Sequence, residues 1–282
     1  MMPPTTPESA GQLVTSMDWD WACRAELGDL LRACRARLGR PSVPGSRNSG
    51  LRQEDVADLA GLSLRRYAAL ERGEFTPTPD IVDQVAAALQ MTAAERSALH
   101  VLATGQDPPR PVTQPTPPLR RELSNALRDL VTQLGYPAAL TDETWTLLHY
   151  NTAMNAWSGG WYDTAEPADR HLVRYLFSTH AEDFLPDVRT IRRSSLAALR
   201  YQYIRNLAVP GFSHLIARLT ASSPQAADLW ARHEVAFPAH EYPVRLRHAG
   251  AGIIDAHVLC LPVNPQLWMY TMVVPPGIQP PL

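Results

Sequence analysis

Lysine is missing from this chain, so all 26 of its basic residues are arginine. Cysteine occurs only three times, at Cys23, Cys34 and Cys260. The number is odd and no pair has zinc-ligand spacing, which argues against a disulfide scaffold and a thiolate metal site and for reduced, buried thiols. No apolar run approaches the roughly 18 residues of a membrane span. The opening MMPPTTPESAGQ has neither the basic nor the apolar stretch of a secretory leader, so the expected location is the cytoplasm. Also lacking are a Gly-x-Ser-x-Gly nucleophile elbow, a P-loop and a dinucleotide glycine fingerprint. His233-Glu234 and His240-Glu241 invite a zinc reading, but neither has histidines at i and i+4, and Pro238 and Pro243 break any such helix. No metal, cofactor or catalytic set is therefore expected. The net charge of −2 does not by itself suggest a nucleic-acid binder. Between residues 26 and 73, however, nine arginines face six carboxylates, a net of +3 that suits a DNA-binding face in an otherwise neutral protein.

What is present is concentrated in residues 53–73, QEDVADLAGLSLRRYAALERG. A helix-turn-helix needs a small residue four positions into its first helix, where the second packs closely, and Ala57 stands there. Its turn needs φ > 0, and Gly61 follows Gln53 by eight positions. Ser63 is a ready N-cap for the second helix, and Tyr67 and Leu70 fall three apart on its inward face. Together these spacings predict a DNA-reading element. Such a helix enters the major groove N-terminus first, so Leu64, Arg65, Ala68 and Ala69 are the base-reading candidates, bordered by Ser63 and Arg66. Either arginine has the fork that grips guanine O6 and N7, worth about 1–3 kcal/mol of discrimination. Leu64 and Ala68 offer an apolar surface to a thymine methyl. Arg52 adds charge beside Gln53. The competing role for both arginines is solvation, or pairing with Glu71 or Asp55. Tyr67 is expected in the core, and Glu71 in an internal ion pair or cap.

The segment resembles the helix-turn-helix of the phage-repressor-type (Xre) family. The likeness is carried by Gly61-x-Ser63 before the recognition helix and by Leu70-Glu71-x-Gly73 at its end, and it extends over about 27–102. It implies that Gln53 approaches a DNA phosphate.

The chain divides by composition. Residues 1–18 are rich in Pro, Thr and Ser and are expected to be disordered. Residues 19–104 read as an all-α domain of five helices. The first carries Leu27, Leu30, Leu31, Cys34 and Leu38 at helical spacing, and a loop over 39–50 follows, from which Arg40 and Arg47 can reach phosphates. The fourth covers 80–89, and Thr92 with Glu95 makes a capping box for a fifth running to 102. Six prolines within 105–118 predict a semi-extended linker between domains free to move. Residues 119–278 form a second domain, and 279–282 a tail. That domain opens with a helix over 119–134 ended by Gly135, a hairpin of 137–141 with 145–150, and a helix at 151–157. Further helices are expected at 169–177, 187–201, 213–221 and 224–233, then strands at 243–248, 253–261 and 267–274. The pattern is α+β, an antiparallel sheet with helices on one face.

This second half resembles the MmyB-like ligand-binding domain of bacterial transcription regulators, which is PAS-like. Trp145, the 151–157 segment, LWARHEV (229–235) and LCLPVNPQLWMYTMVVPPG (259–277) carry the likeness. It implies a cavity for a small apolar molecule, fatty-acid-like ligands among them. The aromatic candidates for its lining are Trp145, Trp157, Phe177, Tyr201, Trp230 and Tyr270, with Asn151, Arg200, His233 and Tyr270 as polar anchors. Ordinary core is the competing role for any one aromatic, and a hydrogen-bonded structural ring for His233. The expected whole is a DNA-binding regulator, a homodimer on a pseudo-palindromic operator because one small module buries little surface. The 119–134 helix either carries dimer contacts or covers the sheet. The alternatives are a C-terminal domain that only dimerises or docks a partner, and a small-molecule enzyme, against which the missing nucleophile–base set argues.

Overall fold

A computed structural model describes residues 16–38, 50–104, 123–207, 210–264 and 267–278. The expected linker, the tail, Arg40 and Arg47 lie outside the described residues. Five helices make the N-terminal domain: α1 (Ser16–Arg37), α2 (Gln53–Leu59), α3 (Leu64–Glu71), α4 (Pro79–Ala88) and α5 (Ala93–Thr104). Helix α1 begins inside the stretch expected to be disordered, at Ser16. Its Leu27, Leu30, Leu31 and Cys34 are buried against Val56, Ala57, Tyr67, Leu70, Val85 and Leu99. Gly61 takes the left-handed turn with φ 66°, and the Ser63 hydroxyl caps α3 by accepting from the Arg66 N–H at 3.3 Å. Gly28 permits the crossing of α1 over the end of α3, since a Cβ there would clash with the Glu71 carbonyl oxygen. The capping box of α5 forms in both directions, Thr92 N–H to Glu95 at 2.8 Å and Glu95 N–H to the Thr92 hydroxyl at 3.2 Å.

The C-terminal domain starts with α6 (Asn125–Gln133), β1 (Ala138–Asp142) and β2 (Leu147–Tyr150). A helical layer follows: α7 (Thr152–Trp157), α8 (Trp161–Thr164), a 3-10 turn (Pro167–Asp169), α9 (Leu172–Leu176) and α10 (Thr179–Phe184). It continues through α11 (Val188–Arg205), α12 (Pro210–Ser222) and α13 (Pro224–Ala231). The chain then returns as β3 (Glu241–His248), β4 (Gly252–Asn264) and β5 (Leu267–Val273). All pairings are antiparallel, in the order β2-β1-β5-β4-β3, so the N-terminal hairpin closes on the last strand, with Ala139 opposite both Tyr150 and Tyr270.

Strand β1 is buried on both faces. Ala138 and Leu140 pack under Val131 and Leu127 of α6, while Ala139 turns the other way, toward Tyr162 of α8. Helix α6 therefore covers the sheet opposite the other helices, one of the two roles expected for it, so the sheet carries helices on both faces rather than one. It ends on the extended backbone of Leu134 rather than at Gly135. The helix expected over 169–177 is split into the 3-10 turn and α9, and His171 between them caps α9 by accepting from the Val173 N–H at 3.1 Å. Short α8 and α10 had no periodic signal, being shorter than two turns.

The two domains share a core. Tyr201, Ile204 and Leu207, together with Val235 beyond α13, join the hydrophobic cluster of α1, α4 and α5. The Tyr201 hydroxyl lies 3.4 Å from that of Ser97 on α5.

Candidate DNA-binding surface and ligand cavity

The recognition surface rests on a buried carboxylate. Glu71, 2% exposed, accepts from Arg35 Nε at 2.7 Å and Nη2 at 3.2 Å, and from Gln53 Nε2 at 2.6 Å. Burial raises its pKa, but the bonds from Arg35 and Gln53 outweigh it and hold the carboxyl below its ordinary value. The same guanidinium donates to the Leu51 carbonyl at 2.9 Å, and Arg32 donates to the Glu71 carbonyl at 2.7 Å. One carboxylate thus ties α1, α2 and α3 together and fixes how far α3 projects. Tyr67 is fully buried, and burial together with the nearby Glu71 pushes its phenol up.

On the outside stand Ser63, Leu64, Arg65 and Arg66, all exposed, with Ala68 and Ala69 half-buried behind them. Leu64 is 49% exposed and Leu59, at the end of α2, 65%. With Arg52 and Gln53 at the start of α2 these make eight base- and phosphate-reading candidates, but they are not equivalent. The Arg66 guanidinium lies over the Phe75 ring, 4.9 Å from its centroid. Among the described residues Arg65 makes no ion pair. Neither arginine pairs with Glu71 or Asp55, because Arg35 takes the first and the Arg52 N–H takes the second at 2.7 Å. The Arg52 side chain pairs with Glu54 at 3.2 Å, both well exposed, a contact of little energetic weight. Gln53 is spent, through its amide N–H, on Glu71.

In the second domain a cavity of about 120 Å³ opens between the helical layer and the sheet. Helices supply Met154, Trp157, Tyr162, Tyr175, Leu176 and Ile191, and strands supply Tyr242, Val244, Leu246, Val258, Tyr270 and Met272. The wall is mostly apolar; its polar side chains are the tyrosine phenols, Ser158, Thr271 and the indole of Trp157. Burial pushes the phenols of Tyr162, Tyr175, Tyr242 and Tyr270 up, so they stand as neutral hydrogen-bonding groups.

Of the nine candidates from sequence, Trp157 and Tyr270 line this space. Trp145, at φ 67°, packs in a neighbouring cluster with Val173 and Phe212. Asn151 is the knot of the β1–α7 corner: its amide accepts from the Ala138 and Met154 N–H groups and donates to the carbonyls of Val131, Leu134 and Tyr136, leaving nothing for a ligand. Phe177 lies under the Arg192 guanidinium at 5.1 Å. Arg200, Tyr201, Trp230 and His233 stand together at the junction with the first domain, away from the cavity. Sequence reasoning missed Met154, Tyr175, Ile191, Tyr242 and Met272, which lie far apart along the chain. The one available signal was the inward alternation of the C-terminal strands, which marks Tyr242, Val244 and Leu246 as one face.

A recognition helix on a rigid five-helix frame, joined to an α+β domain with an apolar cavity, defines a DNA-binding transcription regulator with a ligand-binding domain. Residues 123–279 match the model of the MmyB-like transcription regulator ligand binding domain, and residues 26–99 that of a helix-turn-helix domain. The first match spans more than half of the chain, and the protein belongs to this MmyB-like family. No curated protein matches it. Among the described residues no helix is long and apolar enough to cross a membrane.

Proposed function

We propose that the protein is a cytoplasmic, sequence-specific regulator whose operator binding is modulated by a small apolar molecule held in the second domain. The observation that carries this reading is the cavity itself. Its volume is close to the roughly 150 Å³ at which an engineered apolar protein cavity takes up benzene. A compact apolar molecule, or the tail of a fatty-acid-like one, fits that space, and the phenols offer the few polar contacts that orient a ligand. Operator recognition falls to Ser63, Leu64, Arg65, Arg66, Ala68 and Ala69, with Arg52 and Gln53 beside the phosphates. The active form is a homodimer on a pseudo-palindrome, since a single module buries too little surface for specific affinity. The domain limits of this reading are 19–104 and 119–278, and catalysis has no part in it.

Native mass spectrometry of the full chain as purified tests the ligand. A stoichiometric small-molecule adduct on each protomer is expected; none under several purification conditions would turn the reading toward a docking module. For DNA, the double substitution Arg65→Ala with Arg66→Ala is expected to abolish footprinting on the gene's own promoter. Unchanged protection would sink the groove assignment.

A further inference from the structure

Arg200 is the largest fully buried side chain of the described residues, 1% exposed, and it is enclosed by both domains. Its guanidinium lies over the Trp230 ring, 3.8 Å from the ring centroid, and donates to the Trp230 carbonyl and to His233 Nδ1, the latter at 3.0 Å. The remaining partner is Glu26 of α1, across the domain boundary. His233, held at φ 50° just past α13, brings its Nδ1 within 3.6 Å of the same carboxylate. Burial raises the Glu26 pKa, but His233 and Arg200 outweigh it and keep the carboxyl below its ordinary value. A buried guanidinium tied to one carboxylate cannot slide by degrees, because separating the pair leaves both charges uncompensated. The junction is either made or broken.

Arg200 belongs to α11, and that helix is part of every layer of the signal. Ile191 lines the cavity near its start. Leu196 and Leu199 pack in the central cluster of the second domain. Tyr201 and Ile204 sit in the core of the DNA-binding domain. The thirteen steps from Ile191 to Ile204 span about 20 Å of a continuous helix. Its N-terminal half is fixed to the helical layer by Arg192, which donates to the Leu176 carbonyl at 2.6 Å and the Gln225 amide at 2.7 Å. Leu176 itself lines the cavity.

We propose that α11 couples the cavity to the DNA-binding domain, with the Arg200–Glu26–Trp230 junction as the two-state joint whose making or breaking the cavity biases. The coupling gives regulation to the apolar-cavity reading and rests on it. Both sites act on one equilibrium, which is what allosteric linkage requires. The recognition surface is exposed while the junction is made, so the joint acts on how the DNA-binding domain is held, not by masking α3.

Hydrogen exchange on the full chain, freed of any co-purifying small molecule, tests this as a cycle, so failure of coupling stays distinct from failure to bind. Ile191→Ala and Met272→Ala both remove apolar volume from the same cavity, one on α11 and the other on β5. Ile191→Ala is expected to speed exchange about fivefold or more at α1 and α5 amides around Leu31 and Leu99, in the range of ordinary allosteric couplings. Met272→Ala, on a strand outside α11, is expected to have less than half that effect. In a Glu26→Gln background, where the joint is already broken, Ile191→Ala is expected to have no further effect there. The proposal is overturned if Ile191→Ala leaves α1 and α5 as they were, if Met272→Ala matches it, or if its effect is the same with and without Glu26. Should Ile191→Ala fail to fold, Ile191→Val gives the same ordering at smaller amplitude.

Discussion

The two candidate sites are built inside out from one another. In the N-terminal domain the groups offered to a partner are outside, and what positions them is buried: Leu64, Arg65 and Arg66 are exposed while Glu71, Tyr67 and Leu70 are sealed beneath. In the C-terminal domain the partner's space is inside, and its walls are the core. A DNA surface can therefore be specified by local spacing plus one charged tie, because its ligand supplies the rest of the surface. A cavity has to be enclosed by residues from many elements, so every wall residue answers to packing and to the ligand at once. The first site should fail through loss of its buried support, the second through changes in what its interior will tolerate.

The largest effect that would sharpen this contrast falls on the support of the DNA surface. Glu71→Ala leaves Arg35 and Gln53 without the carboxylate that accepts their hydrogen bonds. Breaking a buried pair in this way costs about 3 kcal/mol or more. Denaturation followed by probes in each domain should show the N-terminal transition moved and operator affinity reduced, though no groove-facing residue has changed. A cost below about 1 kcal/mol, the range of surface pairs, would mean the tie is ornamental and α3 is held by apolar packing alone.

Next in size is a difference in pH response. His171 is buried and neutral, donating to the Thr144 carbonyl and accepting from the Val173 N–H, and burial pushes its pKa down from 6.5 to about 4. The unfolded chain takes up a proton near 6.5 while the folded one does not until about 4. Stability is therefore whole above pH 6.5 and falls as the pH drops between 6.5 and 4, by about 3 kcal/mol. Glu71 and Glu95 of the N-terminal domain have lowered pKa values, so their contribution is whole above about 4.5 and lost only below it. Between pH 6.5 and 5 the C-terminal domain should lose stability while the N-terminal one stays level. His171→Gln should flatten that slope. Parallel losses in both domains would erase the distinction.

How much was legible in the sequence follows the same division. The five N-terminal helices, the Gly61 turn, the Ser63 cap and the Thr92–Glu95 box are read within a turn or two of chain, where propensity and capping act. The three C-terminal strands were legible from alternation and turn residues. What was not legible depends on contacts between distant segments. Asn151 is a candidate ligand anchor by the resemblance; its five backbone partners are four groups within 131–138 and the N–H of Met154, which the fold of the corner brings onto one amide. Arg200 and His233 were placed in the ligand-binding set for their chemistry, whereas their shared partner is Glu26 in the other domain, 174 residues before Arg200 and further still before His233. The prolines of 105–118 suggested domains that move freely, and the shared core of Tyr201, Ile204 and α5 is the tertiary contact that a linker's composition does not report.

The smallest effect separates two neighbouring arginines that the sequence treats alike. Arg66 is drawn over Phe75, which directs its guanidinium along the domain surface toward the chain after α3. Such a side chain meets the DNA backbone more readily than a base edge, and its Ala variant should weaken binding evenly across sequences and lower the salt slope by about one. Arg65, exposed at the N-terminal end of α3, has the position from which a recognition helix reads bases. Arg65→Ala should cost about 2 kcal/mol on the operator, relax discrimination at one base pair, and leave non-specific affinity almost unchanged. Arg66→Ala should cost about half as much, part of it as local loosening around Phe75. Titrations of both variants against operator and scrambled duplexes at two salt concentrations decide the matter. If Arg66→Ala is the one that relaxes base preference, the stack on Phe75 gives way on DNA, and the recognition surface is less preorganised than its buried support suggests.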